Sequence, residues 1–140
     1  MAQEQLLSEA KRTYNLAWDL VMEGTEDQAL LGLEVAAASL HLWRQVGTPQ
    51  NVAIGLWMFS RALDRIGARE SAAKAAKESL ALAEELDVDW LIASALEALT
   101  RASRGTPEYT LYFSRGVAAI EAISDADERK LISDQFADLR

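Results

Sequence analysis

The 140-residue chain is half hydrophobic, carries a net charge of −8 and contains no cysteine. Its hydrophobic share excludes a disordered chain, and its length is enough for one domain, residues 1–140, with a real core. The acidic balance excludes a general nucleic-acid binder and charge-driven docking on anionic membranes, and the absence of cysteine excludes disulfides and thiolate chemistry.

Alanine, leucine and glutamate dominate and β-branched runs are nearly absent, so the residues favour helix over strand. The N-terminal MAQEQLLSEAKR is polar, and no apolar stretch nears the roughly 20 residues of a membrane helix, so a cytoplasmic location is expected. The first helix is predicted from Glu4 to Glu23, with Leu6, Leu7, Ala10, Tyr14, Ala17, Trp18 and Val21 at helical spacing. Gly24 is expected to end it as a left-handed cap, and Thr25 with Gln28 forms a capping box. The second helix, Glu26 to Val46, has the apolar stripe Ala29, Leu30, Leu33, Ala36, Ala37, Leu40 and Trp43. Gly47 stops it, and Thr48-Pro49 starts a third helix to Ile66 with Val52, Leu56, Phe59, Leu63 and Ile66 inward.

Gly67 caps that helix, and Arg69 to Leu86 forms an amphipathic fourth. Asp87 or Asp89 caps a fifth helix, Trp90 to Ser103. Gly105-Thr106-Pro107 repeats the stop-and-start grammar of Gly47-Thr48-Pro49 and opens a sixth helix to Ile123. Ser124 with Asp127 is a further capping pair, and the seventh helix, Asp125 to Leu139, buries Leu131, Ile132, Phe136 and Leu139. Gly32, Gly55 and Gly116 lie inside helices, where glycine costs about 1 kcal/mol against alanine, so close helix packing is expected there. Tight turns between seven short helices imply antiparallel neighbours.

The breaks at Gly24, Gly67 and Gly105 superpose. Seven residues before them stand Ala17, Ser60 and Ala98; five after stand Ala29, Ala72 and Thr110; nine after stand Leu33, Ala76 and Ser114. A period of about forty residues suits a helical array. The pattern resembles a degenerate tetratricopeptide repeat, in which a small residue, a turn glycine and further small residues let two helices pack tightly. Ser60, Gly67, Ala72 and Ala76 match in the central unit and Ala17, Gly24 and Ala29 in the first, whereas Thr110 and Ser114 depart from it and the family's packing aromatic is missing. The segments HLWRQVGTPQN, WMFSR and ISDADERKLISD are also similar to small uncharacterised bacterial helical-repeat proteins.

The resemblance implies an all-α fold: a right-handed superhelix of three antiparallel hairpins with a C-terminal capping helix. It also implies a concave face that holds a peptide or partner helix. Its lining would be Lys11, Tyr14 and Trp18 in the first unit, Trp57, Arg61 and Asp64 in the second, and Ile92, Ala95 and Leu99 in the third. Arg61 would be exposed there, and with Trp57 one turn away would act on a carboxylate or an aromatic. The opposing reading makes Trp18 and Trp57 core.

His41 is the sole histidine and suits a helix end, where it satisfies terminal carbonyls. No metal-ligand pattern, Glu-x-x-His motif, phosphate loop or dinucleotide fingerprint is present, so no catalytic, cofactor or metal site is expected. The leading expectation is a small protein–protein interaction module, not an enzyme, with an open groove and no buried ionisable cluster. The alternatives are a small-molecule or peptide sensor with an apolar pocket near Trp57 and Trp90, of about 300 Å³ or more, and a self-associating structural protein, a homodimer being the commonest form.

Overall fold

The computed structural model describes residues 2–140, which form seven α-helices and no strand. They are α1 (Ala2–Met22), α2 (Ala29–Val46), α3 (Pro49–Arg65), α4 (Arg69–Leu86), α5 (Asp89–Ala102), α6 (Tyr109–Glu121) and α7 (Ala126–Phe136). Short 3-10 turns at Glu26–Gln28 and Ala137–Leu139 precede α2 and extend α7. None of these helices is long and apolar enough to cross a membrane.

Local chemistry sets the boundaries. Thr48 accepts from Asn51 N at 3.2 Å while Asn51 Oδ1 accepts from Thr48 N at 3.0 Å, and Pro49 follows at the first helical position. Gly67 at φ 83° and Gly105 at φ 80° take the left-handed conformation that glycine adopts without strain. Gly24 does not, contrary to expectation. The Arg65 guanidinium of α3 instead donates to the carbonyls of Val21, Gly24 and Thr25, satisfying the end of α1 from outside. The expected Ser124 cap is displaced by one residue: Asp125 accepts from Asp127 N at 2.8 Å, and Ser124 turns to the Asp89 carboxylate. Helix α6 starts at Tyr109 rather than Pro107, because 104–109 close as successive turns.

Consecutive helices pack on one another, and α1 also packs on α3, α3 on α5 and α5 on α7. The odd-numbered helices thus form one row. Helix α2 lies against α1 and α3, α4 against α3 and α5, and α6 against α5 and α7. Helices in mid-row bury more than one face. On α5, Leu91 and every residue from Ala93 to Ala102 are buried, and α3 buries Gly55 through Met58 without a break.

Small residues and hydroxyls make the hairpins tight. Ala17, Ser60, Ala98, Ala29 and Ala72 are all buried, whereas Thr110 and Ser114 are exposed. Ser39 of α2 donates to Ala10 O of α1 at 3.2 Å, and Ser79 of α4 donates to Ala53 O of α3 at 2.7 Å. These two serines stand one repeat apart and do the same job in successive hairpins. Ser60 donates in turn to Ala72 O at 2.7 Å.

Four apolar residues expected inside are exposed: Leu30, Ala37, Ile66 and Leu131. On α2 the buried row runs Ala29, Gly32, Ala36, Leu40 and Trp43. A side chain at Gly32 would stand 3.0 Å from Val21 Cγ2, so the small face, not the leucine face, meets α1. On α7, Ile132 and Phe136 turn inward and leave Leu131 outward.

The helical glycines mark close approaches, as expected. A Cβ on Gly116 would stand 2.8 Å from the Phe136 ring, which packs on Phe113 at 5.4 Å between centroids. Gly116→Ala is therefore expected to lower stability in urea unfolding by about 1 kcal/mol, even though alanine favours a helix by a similar amount at an open site. Gly67→Ala meets no neighbour and is expected to lose about 1 kcal/mol from left-handed strain alone.

Candidate functional site

The side chains between α1, α3, α5 and α7 carry the chemistry. Their centre is Glu97, a carboxylate on α5 with no exposed surface. An isolated buried carboxylate costs several kcal/mol, so its position requires partners. Trp57 Nε1 donates to Glu97 Oε1 at 3.1 Å, and Arg61 Nη1 donates to the same oxygen at 2.9 Å. Arg101, one turn along α5, donates from Nε to Oε2 at 2.7 Å. Its other nitrogens reach Asp138 Oδ2 and Oδ1 at 2.6 and 2.7 Å, and the Gln135 carbonyl at 3.2 Å. Two carboxylates and two guanidiniums thus alternate from α3 through α5 to the turn after α7, with no net charge.

Burial works against the charge of Arg101, but hydrogen bonds to Asp138 and Glu97 outweigh it and raise its pKa above the ordinary value. The Asp138 carboxyl is held below the ordinary carboxylate range, chiefly by its hydrogen bond with Arg101. Tyr109 secures the same end of the chain by donating its hydroxyl to Leu139 O at 2.9 Å.

Beside this network lies an apolar pocket of about 150 Å³. Tyr14 and Trp18 of α1, Trp57 of α3 and Trp90 of α5 wall it, and α7 closes it with Leu131, Ile132 and Gln135. Trp18 and Trp57 stack at 5.7 Å between centroids. None of its lining residues is charged. Gln135 Oε1 is buried with no hydrogen-bond donor among the described residues, a state that costs about 1–3 kcal/mol. Burial pushes the Tyr14 pKa well above the ordinary value, so the phenol stays neutral.

The expected groove residues do not share one environment. Lys11 is exposed, and Tyr14 and Trp18 are half-buried at the pocket. Trp57 is core, 4 % exposed, with one face on the pocket. Arg61 is not the exposed residue expected: its side chain is 14 % exposed, and its guanidinium lies 5.7 Å from the Trp57 ring centroid. Trp57 and Arg61 do act together on a carboxylate, but it is the chain's own Glu97. Asp64 is likewise taken up, accepting from Arg104 Nη2 at 2.9 and 3.2 Å. Ala95 and Leu99 are fully buried, and Ile92 is partly so.

The expected absence of a buried ionisable cluster is therefore corrected, because α5 runs through the middle of the packing and Glu97 cannot reach solvent. The pocket lies near Trp57 and Trp90, at about half the volume expected of a sensor. His41 is exposed, and its ring lies 2.9 Å from the Gln45 side chain instead of serving terminal carbonyls. No group of three or more acidic or histidine side chains is placed to hold a metal among the described residues.

Sequence reasoning missed Glu97, Arg101, Asp138 and Gln135. One signal was available: Glu97 and Arg101 are the charged residues of an otherwise apolar or small run, WLIASALEALTRAS, and lie one turn apart. No family model, curated protein or solved structure matches the chain.

Two outcomes follow from the network. Glu97→Gln leaves two buried guanidiniums short of a counter-charge and is expected to cost about 3–5 kcal/mol in urea unfolding. Asp138 has a depressed folded pKa, so its contribution is present above its unfolded pKa and is lost as pH falls through the folded value. Unfolding midpoints measured from about pH 5 down to pH 2 should therefore fall further for the wild type than for Asp138→Asn.

Proposed function

We propose that the chain is a short tetratricopeptide-like array and that it acts as a protein–protein interaction module. The partner lies along the inner face beside α1, α3 and α7, and one of its side chains seats in the aromatic pocket. The array reading draws support from the row of odd-numbered helices, the buried small residues Ala17, Ser60, Ala29 and Ala72, and the paired serines Ser39 and Ser79.

The observation that carries the binding reading is the pocket. Aromatic side chains at the centre of a concave surface are the groups that dominate binding energy. Here Tyr14, Trp18, Trp57 and Trp90 converge on space that no side chain among the described residues fills. Glu97 holds the Trp57 wall in place, which limits the ordering cost on binding. Lys11 is exposed about one turn from Tyr14 on α1 and offers a polar edge to the same surface. Arg61 and Asp64, whose charges are already matched within the chain, serve to support the face and not to meet the partner.

Peptide display against the wild type, with Ser94→Phe as the comparison, tests this reading. Ser94 lines the pocket, so a phenyl group there fills it. Selected peptides should share one large apolar or aromatic residue and bind the variant at least tenfold more weakly. Equal binding to a Ser94→Phe protein of unchanged helical content would place the partner elsewhere.

A further inference from the structure

We infer that the pocket seats a quaternary ammonium group, carried on a trimethylated lysine side chain of the partner. This rests on the reading of the pocket as the seat of a partner side chain and adds the chemistry of that anchor.

Four observations converge. First, the lining includes one phenol and three indoles, Tyr14, Trp18, Trp57 and Trp90, and indole is the side-chain ring that attracts a cation most strongly. Tyr14, Trp18 and Trp90 are half-buried and keep surface for a guest. Trp57 already has a cation beside it: the Arg61 guanidinium lies 5.7 Å from its ring centroid, with its charge matched by Glu97. The guest therefore draws chiefly on the other three rings. Second, no lining residue is charged. A primary ammonium carries three N–H donors, and with no carboxylate to accept them it is costly to bring out of water. Ser94, the lining hydroxyl on α5, already donates to Trp90 O at 2.9 Å. A quaternary ammonium donates no hydrogen bond and needs no acceptor.

Third, the volume of about 150 Å³ is the size of cavity that takes a single benzene ring, and a trimethylammonium head is no larger. The rest of the ligand lies outside, as the stem and backbone of a long side chain do. Fourth, the surrounding charge favours a cation. The chain carries −8, and its field attracts positive guests. Close to the pocket, Asp89 adjoins Trp90 in the chain, and Glu128 stands one turn before Leu131 and Ile132 on α7. Burial, and then the charges of Asp125 and Asp89, raise the Glu128 pKa above the ordinary carboxyl value, so negative charges crowd this side of the pocket. Of the cations nearby, Lys130 is paired with Asp134, Arg129 donates to Ile123 O at 2.7 Å, and Lys11 is exposed. Display libraries of ordinary residues contain no methylated ammonium, so the apolar or aromatic anchors they return are neutral stand-ins for it.

The test is a nitrogen-15 NMR titration of the full chain with choline and with its neutral carbon isostere, the alcohol in which a tert-butyl group replaces trimethylammonium. N-acetyl-trimethyllysine amide and N-acetyl-lysine amide follow. Choline is expected to bind roughly three- to thirtyfold more tightly than the alcohol, the range of a cation–π contact from exposed to desolvated. The shifted signals should include the Trp18 and Trp90 indoles. The trimethyllysine amide should show a similar preference over the lysine amide. Trp90→Leu should weaken choline more than the alcohol, and Trp18→Leu provides a second variant should the first fail to fold.

Equal affinities for choline and the alcohol, or a preference unchanged in a folded variant, would overturn the cation selectivity and leave the partner-binding reading standing. No binding of any of these probes at the indoles would overturn both. Choline binding without binding of the trimethyllysine amide would assign the pocket to a free quaternary ammonium and overturn the partner lysine.

Discussion

The Glu97 carboxylate is the constraint around which α3, α5 and the turn after α7 are arranged. It stands on the most enclosed helix of the chain, with no exposed surface. Low polarizability around it makes an unpaired charge untenable, so three donors must reach it. They come from two helices: Trp57 and Arg61 on α3 and Arg101 on α5. Arg101 then needs a second anion and finds it in Asp138, beyond the end of α7. One buried charge therefore fixes the indole of Trp57, the register of α3 on α5 and the resting place of the C-terminal turn.

That placement explains why the pocket exists. Trp57 is turned by its hydrogen bond to Glu97, and its other side stacks on Trp18. With α7 held by Asp138 below and by Phe136 against Phe113, its Ile132 and Gln135 come over the row of odd helices and leave a gap above the tryptophans. Hydrophobic packing alone tends to close such gaps, since interiors approach crystal density. One wall, Trp57, is held here by a directional bond. A hydrophobic replacement of the ion-pair chain would suit stability as well or better in many proteins. Its use here fits a surface that has to keep one shape.

Much of the helical plan was legible because it is local. Thr48-Pro49, Gly67 and the run Arg69 to Leu86 gave boundaries within a residue of those observed, since capping and left-handed glycine act over a few positions. Gly32, Gly55 and Gly116 were legible as close approaches because glycine inside a helix has few other uses. Faces were harder to read. On α2 both a leucine stripe and a small stripe have helical period, and only the fit to α1 selects the small one. Tyr14, Trp18 and Trp57, placed on one face by the tetratricopeptide resemblance, do line one pocket. Their charged neighbours were misread, because Arg61 and Asp64 look like groove residues until their partners Glu97 and Arg104 arrive from another hairpin. Gln135 lay beyond reach, since its place on the pocket wall depends on how α7 docks.

The claim that the four charges act as one unit meets its most direct test in a double-mutant cycle between its two ends, Arg61→Met and Asp138→Asn, followed by urea unfolding. These residues hydrogen-bond no common atom; they are joined through Glu97 and Arg101 and by the direct attraction of the Arg61 charge for Asp138. A coupled unit predicts an interaction energy of at least about 0.5 kcal/mol between the two substitutions. Additivity within about 0.3 kcal/mol would contradict it and reduce the network to separate pairs.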